Sequence, residues 1–162
     1  MIDGAVKQED ICQCAERFHA LYEAGHDDGE VPLYPHMKEI VEEYRSVGWA
    51  TGVFTGKGRV SALSTLEHHQ LLPLFDTIVT SDDVRCPKPA PDGVLLAIKQ
   101  VNSSPELTIF VGDNPNDILA GRAAGVTTVA ALWGAFNRSE TLAASPHHAF
   151  ESPSDLRLLL QQ

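Results

Sequence analysis

The sequence predicts an α/β protein built on a mostly parallel sheet with helices on both faces. Three observations carry this. From Pro35 onward, short apolar runs alternate with helix-length amphipathic segments. Several of the runs are apolar almost throughout, as strands buried on both faces must be. Connections long enough to hold a helix place successive strands side by side in parallel, through right-handed crossovers.

Each element has its own justification. Residues 36–47, HMKEIVEEYRSV, put Met37, Ile40, Val41, Tyr44 and Val47 on one helical face, and Gly48 stops the pattern. There follow a strand-like ATGVF, a helical SALSTLEHHQLL, then TIVTS, PDGVLLAIKQV, LTIFV, NDILAGRAAG and VTTVAAL, strand and helix in turn. The last segment, SPSDLRLLLQQ, opens on a Ser-Pro cap signal and reads as a closing helix. Before this region, ICQCAERFHALYEAG has helical spacing, with Ile11, Ala15, Phe18 and Leu21 as a stripe, and no strand precedes it. HDDGEVP is a turn into the sheet region.

Composition narrows the function. The 162 residues, 43% hydrophobic, suit one domain with a real core. With 22 acids against 12 Lys and Arg, the net charge of −10 repels nucleic acid and anionic membrane surfaces. No apolar run approaches the roughly 18 residues that span a bilayer, and MIDGAVKQED has no signal-peptide pattern, so a cytoplasmic location is expected. Cys12, Cys14 and Cys86 lack zinc spacing and read as ordinary thiols. Neither His68-His69 nor His147-His148 has the i, i+4 spacing of a ligand pair; the second lies in a loop or short extended piece.

In open parallel sheets the reacting groups sit on loops beyond the carboxyl ends of the strands. Three such loops stand out. ATGVF is followed by Thr55-Gly56-Lys57, TIVTS by SDDVRCPKPAP with Lys88, and TIFV by Gly112-Asp113 with Asp117 four residues on. A hydroxyl, free amides and a lysine suit phosphate, and carboxylates suit Mg2+. Each has a plainer reading: Asn114, Pro115 and Asp117 form a complete helix start, Thr55 can be a cap, and Lys88 can be a solvated loop residue. Recurrence at three successive strand ends favours the site. Trp133 could wall it, although core or loop packing is the commoner role for such a residue.

The ordered strings FTGK, CPKPAPDGV and VGDNPNDILAGRAAG resemble the haloacid dehalogenase-like hydrolase superfamily, in the branch with a helical cap after the first strand. KPAPDGVLLA and VTTVAALWGAF look closest to phosphoglycolate phosphatases and pyrophosphatase-like relatives. The resemblance implies a Rossmann-like core over residues 33–162, a cap remnant over 1–32 and a Mg2+-dependent phosphatase of small phosphorylated metabolites. By it, Thr55 and the Gly56 amide hold the phosphoryl group, Lys88 neutralises its charge, Asp113 binds Mg2+, and Asp117 orients Lys88 or the metal shell.

The family attacks phosphorus with an aspartate of a D-x-D-G-[TS] string on its first, central strand. No such string occurs here; the nearest, Met1-Ile2-Asp3-Gly4-Ala5, puts Met1 at the nucleophile position. The chain therefore reads as an N-terminally shortened phosphatase without its central strand, inactive as given. The alternative is a degenerate protein that binds phosphate or a partner without turnover. Receiver domains also place acids, a hydroxyl and a Lys-Pro at strand ends, but in another order. Substrate identity and oligomeric state are not encoded in any motif.

Overall fold

A computed structural model describes residues 32–161. Asp3, Cys12, Cys14 and the helical pattern of residues 11–25, with the expected cap remnant, lie outside them. The described elements belong to one unit, Leu33–Gln162. In order they are α1 (Met37–Ser46), β1 (Gly52–Phe54), α2 (Arg59–His68), β2 (Thr77–Val79), α3 (Asp92–Gln100), β3 (Ile109–Gly112), α4 (Pro115–Ala124), β4 (Thr127–Ala131), α5 (Arg138–Ala143) and β5 (His148–Phe150). A closing 3-10 helix covers Pro153–Gln161.

Helix boundaries follow from local chemistry. α1 stops where Gly48 takes φ +92° and its N–H returns to the Arg45 carbonyl. Val47, expected on the buried face, is the C-cap instead and is exposed. α4 begins at Pro115 behind an Asn114 N-cap and ends at Gly125, φ +78°. α2 starts at Arg59, two residues earlier than its apolar pattern, because Gly58 is the N-cap.

All strand pairings are parallel, with β1 beside β2 and β3-β4-β5 in a separate ladder. α3 and α4 cover one face, where Val94, Ile98, Ala120, Ala124 and Val126 form a cluster under Phe54 and Phe110. α1 and the closing helix cover the other, where Ile40, Val129, Leu156 and Leu159 pack with Ile109 and Trp133. Neighbours Ile109 and Phe110 thus point to opposite faces, as strand geometry requires.

The two ladders do not hydrogen-bond to each other. β1 and β3 each keep one edge without a strand partner among the described residues, and Val111, in β3, is 37% exposed. Val111 lies at the carboxyl end of its strand and borders a cleft there. One open edge on each of β1 and β3 is what the expected absence of a central strand would leave. Among the described residues no helix is long and apolar enough to cross a membrane.

Candidate active site

The carboxyl ends of β1, β3 and β4, with the loop after β2, border a cleft of about 300 Å³, lined by Thr55, Lys88, Asp113, Asp117 and Trp133 among others. That volume suits a small ligand. Four of the five residues expected from the strand ends therefore share one cavity. Gly56 is not among the lining residues and stands exposed.

Thr55 continues the β1 ladder for one more bond, its N–H donating to the Val79 carbonyl at 3.0 Å. It is not the cap of α2, since Gly58 holds that place. Its Oγ accepts from the Lys57 N–H at 3.1 Å, a local turn that fixes the loop. The hydroxyl hydrogen is then left to donate elsewhere.

Beyond β2, buried Thr80 forms a reciprocal capping box with Asp83, which also receives Arg59. The Arg59 guanidinium first, and Thr80 second, hold the Asp83 carboxyl down at about 2. Ser81 N–H donates to the Lys57 carbonyl at 3.1 Å, tying this loop to the one after β1. The chain then returns to deliver Lys88.

Lys88 Nζ lies 2.6 Å from Asp117 Oδ1, with side-chain exposures of 20% and 8%, so the pair is largely shielded from water. Nζ also stands 4.9 Å from the centroid of the Phe54 ring. Asp117 Oδ2 accepts from the Asn114 N–H at 3.1 Å and completes the capping box of α4. The plain reading of Asp117 as helix-start chemistry and its reading as the Lys88 partner are both realised, on different oxygens.

Asp113 opens onto solvent at the mouth of the cleft. Partial desolvation, then the neighbouring Asp117 charge, push its carboxyl above the usual range, against a smaller pull from Lys88. Water screens part of this. Two features not anticipated from the sequence hold it. The buried Thr141 hydroxyl shares its proton between the Asp113 carbonyl, at 3.2 Å, and the Asn137 carbonyl, at 2.9 Å. Gly134 leaves room beside the carboxylate: a β-carbon there would stand 2.9 Å from Asp113 Oδ2 and 3.2 Å from the Tyr34 hydroxyl. Trp133 both lines the cleft and packs on the α1-side cluster, so the wall and packing readings are compatible.

A hydroxyl and an ammonium facing one small cavity can donate to an anion, and the carboxylate beside them can hold a cation. A family model for haloacid dehalogenase-like hydrolases matches residues 2–131. The chain belongs to that family. It is 34% identical over 158 residues to the pyrophosphatase PpaX of Bacillus mycoides (strain KBAB4), spanning 98% of this chain and 72% of that protein. PpaX of Bacillus velezensis is 33% identical over 154 residues, spanning 94% and 70%. A hydrolase from Pseudomonas syringae superposes with a TM-score of 0.85 at 26% identity, over 99% of this chain and 75% of that one. A candidate phosphoglycolate phosphatase from Lactobacillus plantarum gives 0.83 at 22% identity, over 96% and 72%, which establishes the shared fold.

Proposed function

We propose that the cleft is the phosphate- and metal-binding part of a Mg2+-dependent phosphatase site for a small phosphorylated metabolite such as phosphoglycolate or pyrophosphate. One observation carries the reading: Thr55, Lys88 and Asp113, from three separate loops, face one cavity. Thr55 would donate to a phosphoryl oxygen, and Lys88 would offset its charge with the ammonium donors that Asp117 leaves over. Gly56 would contribute only its amide.

Among the described residues no group of three or more His, Cys, Asp or Glu is placed to hold a metal ion. Mg2+ does not need one, since it keeps much of its water and binds through one or two carboxylates plus substrate oxygens. Asp113 fits the role of the single protein carboxylate. Two carboxylates against one ammonium leave the site net negative, so an incoming phosphate needs a cation beside Asp113. Bound there, Mg2+ would neutralise charge on the transferring group.

These 162 residues contain no Asp-x-Asp-Gly string, which in the family carries the covalent acceptor. Turnover is therefore expected of a longer chain that supplies such a strand between β1 and β3, and not of this chain alone. Extension with a strand-plus-cap segment should produce Mg2+-dependent hydrolysis of para-nitrophenyl phosphate, phosphoglycolate or pyrophosphate, abolished by Asp113→Asn. A longer chain that folds, binds orthophosphate and stays inert on all three would favour a binding protein without turnover, the reading supported by the missing string. Location in the cytoplasm suits either.

A further inference from the structure

We propose that Phe54 is a positioning residue: its ring seats the Lys88 ammonium so that the cation's remaining donors face the cleft. The consequence for anion binding rests on the phosphate reading above; the seating itself does not. A lysine carries its charge on a flexible four-carbon stem, and a single contact at Asp117 Oδ1 leaves it free to swing about that point. A second contact from another direction removes the freedom. The Phe54 ring, 4.9 Å from Nζ, supplies it. An aromatic face attracts the cation through its quadrupole without taking up an N–H as strongly as a carboxylate would, so donors stay available for a ligand.

The ring can act as a fixed seat because three elements immobilise it. It ends β1, stacks on Phe110 of β3 with centroids 6.3 Å apart and planes 29° apart, and lies against buried Gly93 in the first turn of α3. A β-carbon at residue 93 would come within 2.6 Å of ring atom Cε1 and nearer still to Cζ and Cε2. The plainer account is that Phe54 merely fills the cluster of Val94, Ile98 and Ala120. Packing depends on shape, whereas cation attraction depends on the charge distribution of the ring, and the two can be separated.

The test replaces Phe54 by 2-fluoro- and 2,6-difluorophenylalanine, which weaken the quadrupole while placing fluorine away from the ring edge that faces Gly93. Phe54→Leu removes the ring. In lysine-labelled protein, the Lys88 ε-methylene protons should resonate upfield from the ring current, lose dispersion stepwise along the fluorinated pair and become degenerate in Phe54→Leu. The thermal midpoint should hold across the fluorinated proteins. Orthophosphate, titrated with and without Mg2+, should bind about twofold more weakly to the difluoro protein and about fivefold more weakly to Phe54→Leu. Unshifted Lys88 protons in the native chain would overturn the proposal, as would phosphate affinity that ignores fluorination. If those protons are shifted and follow fluorination but the native chain binds no orthophosphate, the seating by Phe54 stands and the phosphate reading of the cleft falls.

Discussion

Gly112 ends β3 immediately before Asp113, and its replacement by alanine is the sharpest stability test of how the site is held. Among the described glycines only Gly48 and Gly125 have positive φ, so residue 112 is glycine for space and not for conformation. A β-carbon there would stand 2.7 Å from Asp117 Cγ and 2.8 Å from Oδ2, with Asp117 Cβ closer still. Cβ is anchored to the first turn of α4, so the clash cannot be relieved by rotating a flexible tip. Either the helix start withdraws or the carboxylate leaves Lys88 and Asn114. Overpacking alone costs about 1–3 kcal/mol, and a disturbed cap adds about 1 kcal/mol. A loss of about 3 kcal/mol follows, a large share of the roughly 5–15 kcal/mol a domain possesses. Urea unfolding followed by circular dichroism reads it directly. Gly56→Ala is the control: nothing lies within 4 Å of its β-carbon position, and a change under about 0.5 kcal/mol is expected. In a double-mutant cycle, Asp117→Gly should relieve most of the cost of Gly112→Ala. A Gly112→Ala protein within about 0.5 kcal/mol of the native chain would refute the close strand-to-helix contact on which the geometry of Asp117 depends.

Asp117→Asn should cost about 1–3 kcal/mol in urea unfolding, because the amide oxygen can still serve the Asn114 N–H while Lys88 loses its charged partner in a shielded place. Asp117→Ala, which removes the cap as well, should cost about 1 kcal/mol more. Asp113→Asn should stabilise the chain at neutral pH. A carboxyl held above its unfolded value burdens the fold fully at pH above the raised position, and the burden lifts as pH falls through it. The advantage of the asparagine protein should therefore shrink on acidification, and a constant difference in thermal midpoint from pH 7 to pH 4 would contradict this. Asp83 behaves oppositely: held at about 2, it contributes stability that is complete above the ordinary carboxylate range and is lost as pH falls from about 4 toward 2. Arg59→Gln should remove part of that acid-side slope, the Thr80 bonds keeping the rest, and about 1 M salt should reduce it in the native chain because the pair is on the surface.

How far the sequence carried depends on where the deciding forces act. α1, α3, α4 and the strands before residue 132 were legible because their apolar periodicity and caps are local. α5 was not: six residues with only Thr141 buried present no stripe. β5 is three half-hidden or exposed residues, HAF, whose strand identity comes from pairing with β4 through Val129–His148 and Ala131–Phe150, a nonlocal fact. The closing segment has the sequence of an ordinary helix, and it forms the tighter 3-10 helix instead. In the site, Thr55, Lys88, Asp113 and Asp117 were visible as polar residues at strand ends. Phe54, in the FTGK string, gives no sign of a role, because an aromatic at the end of a strand looks like core, and here it is core on one face and cation seat on another. Thr141 and Gly134 carry no signal of their own, since what matters is their approach to Asp113 across the fold.

Asp117 shows why weighing a structural reading against a functional one can mislead when a residue has two equivalent atoms. As a helix-start residue it needs one oxygen, and the Asn114 N–H takes Oδ2. That bond restricts the rotation of the carboxylate plane and thereby aims Oδ1 at Lys88, 2.6 Å away. Capping is thus the means by which the charge partner is oriented, and the bare glycine at 112 is what lets the carboxylate sit against the strand. The same economy appears at Thr55, whose oxygen accepts from Lys57 while its proton remains free to donate into the cleft. A site assembled in this way binds the cost of its order into the local structure, so the arrangement of Thr55, Lys88 and Asp117 is fixed by bonds within the chain. The preformed geometry is also why these side chains can be tested in the chain as it stands, through stability, lysine resonances and phosphate affinity, independently of turnover.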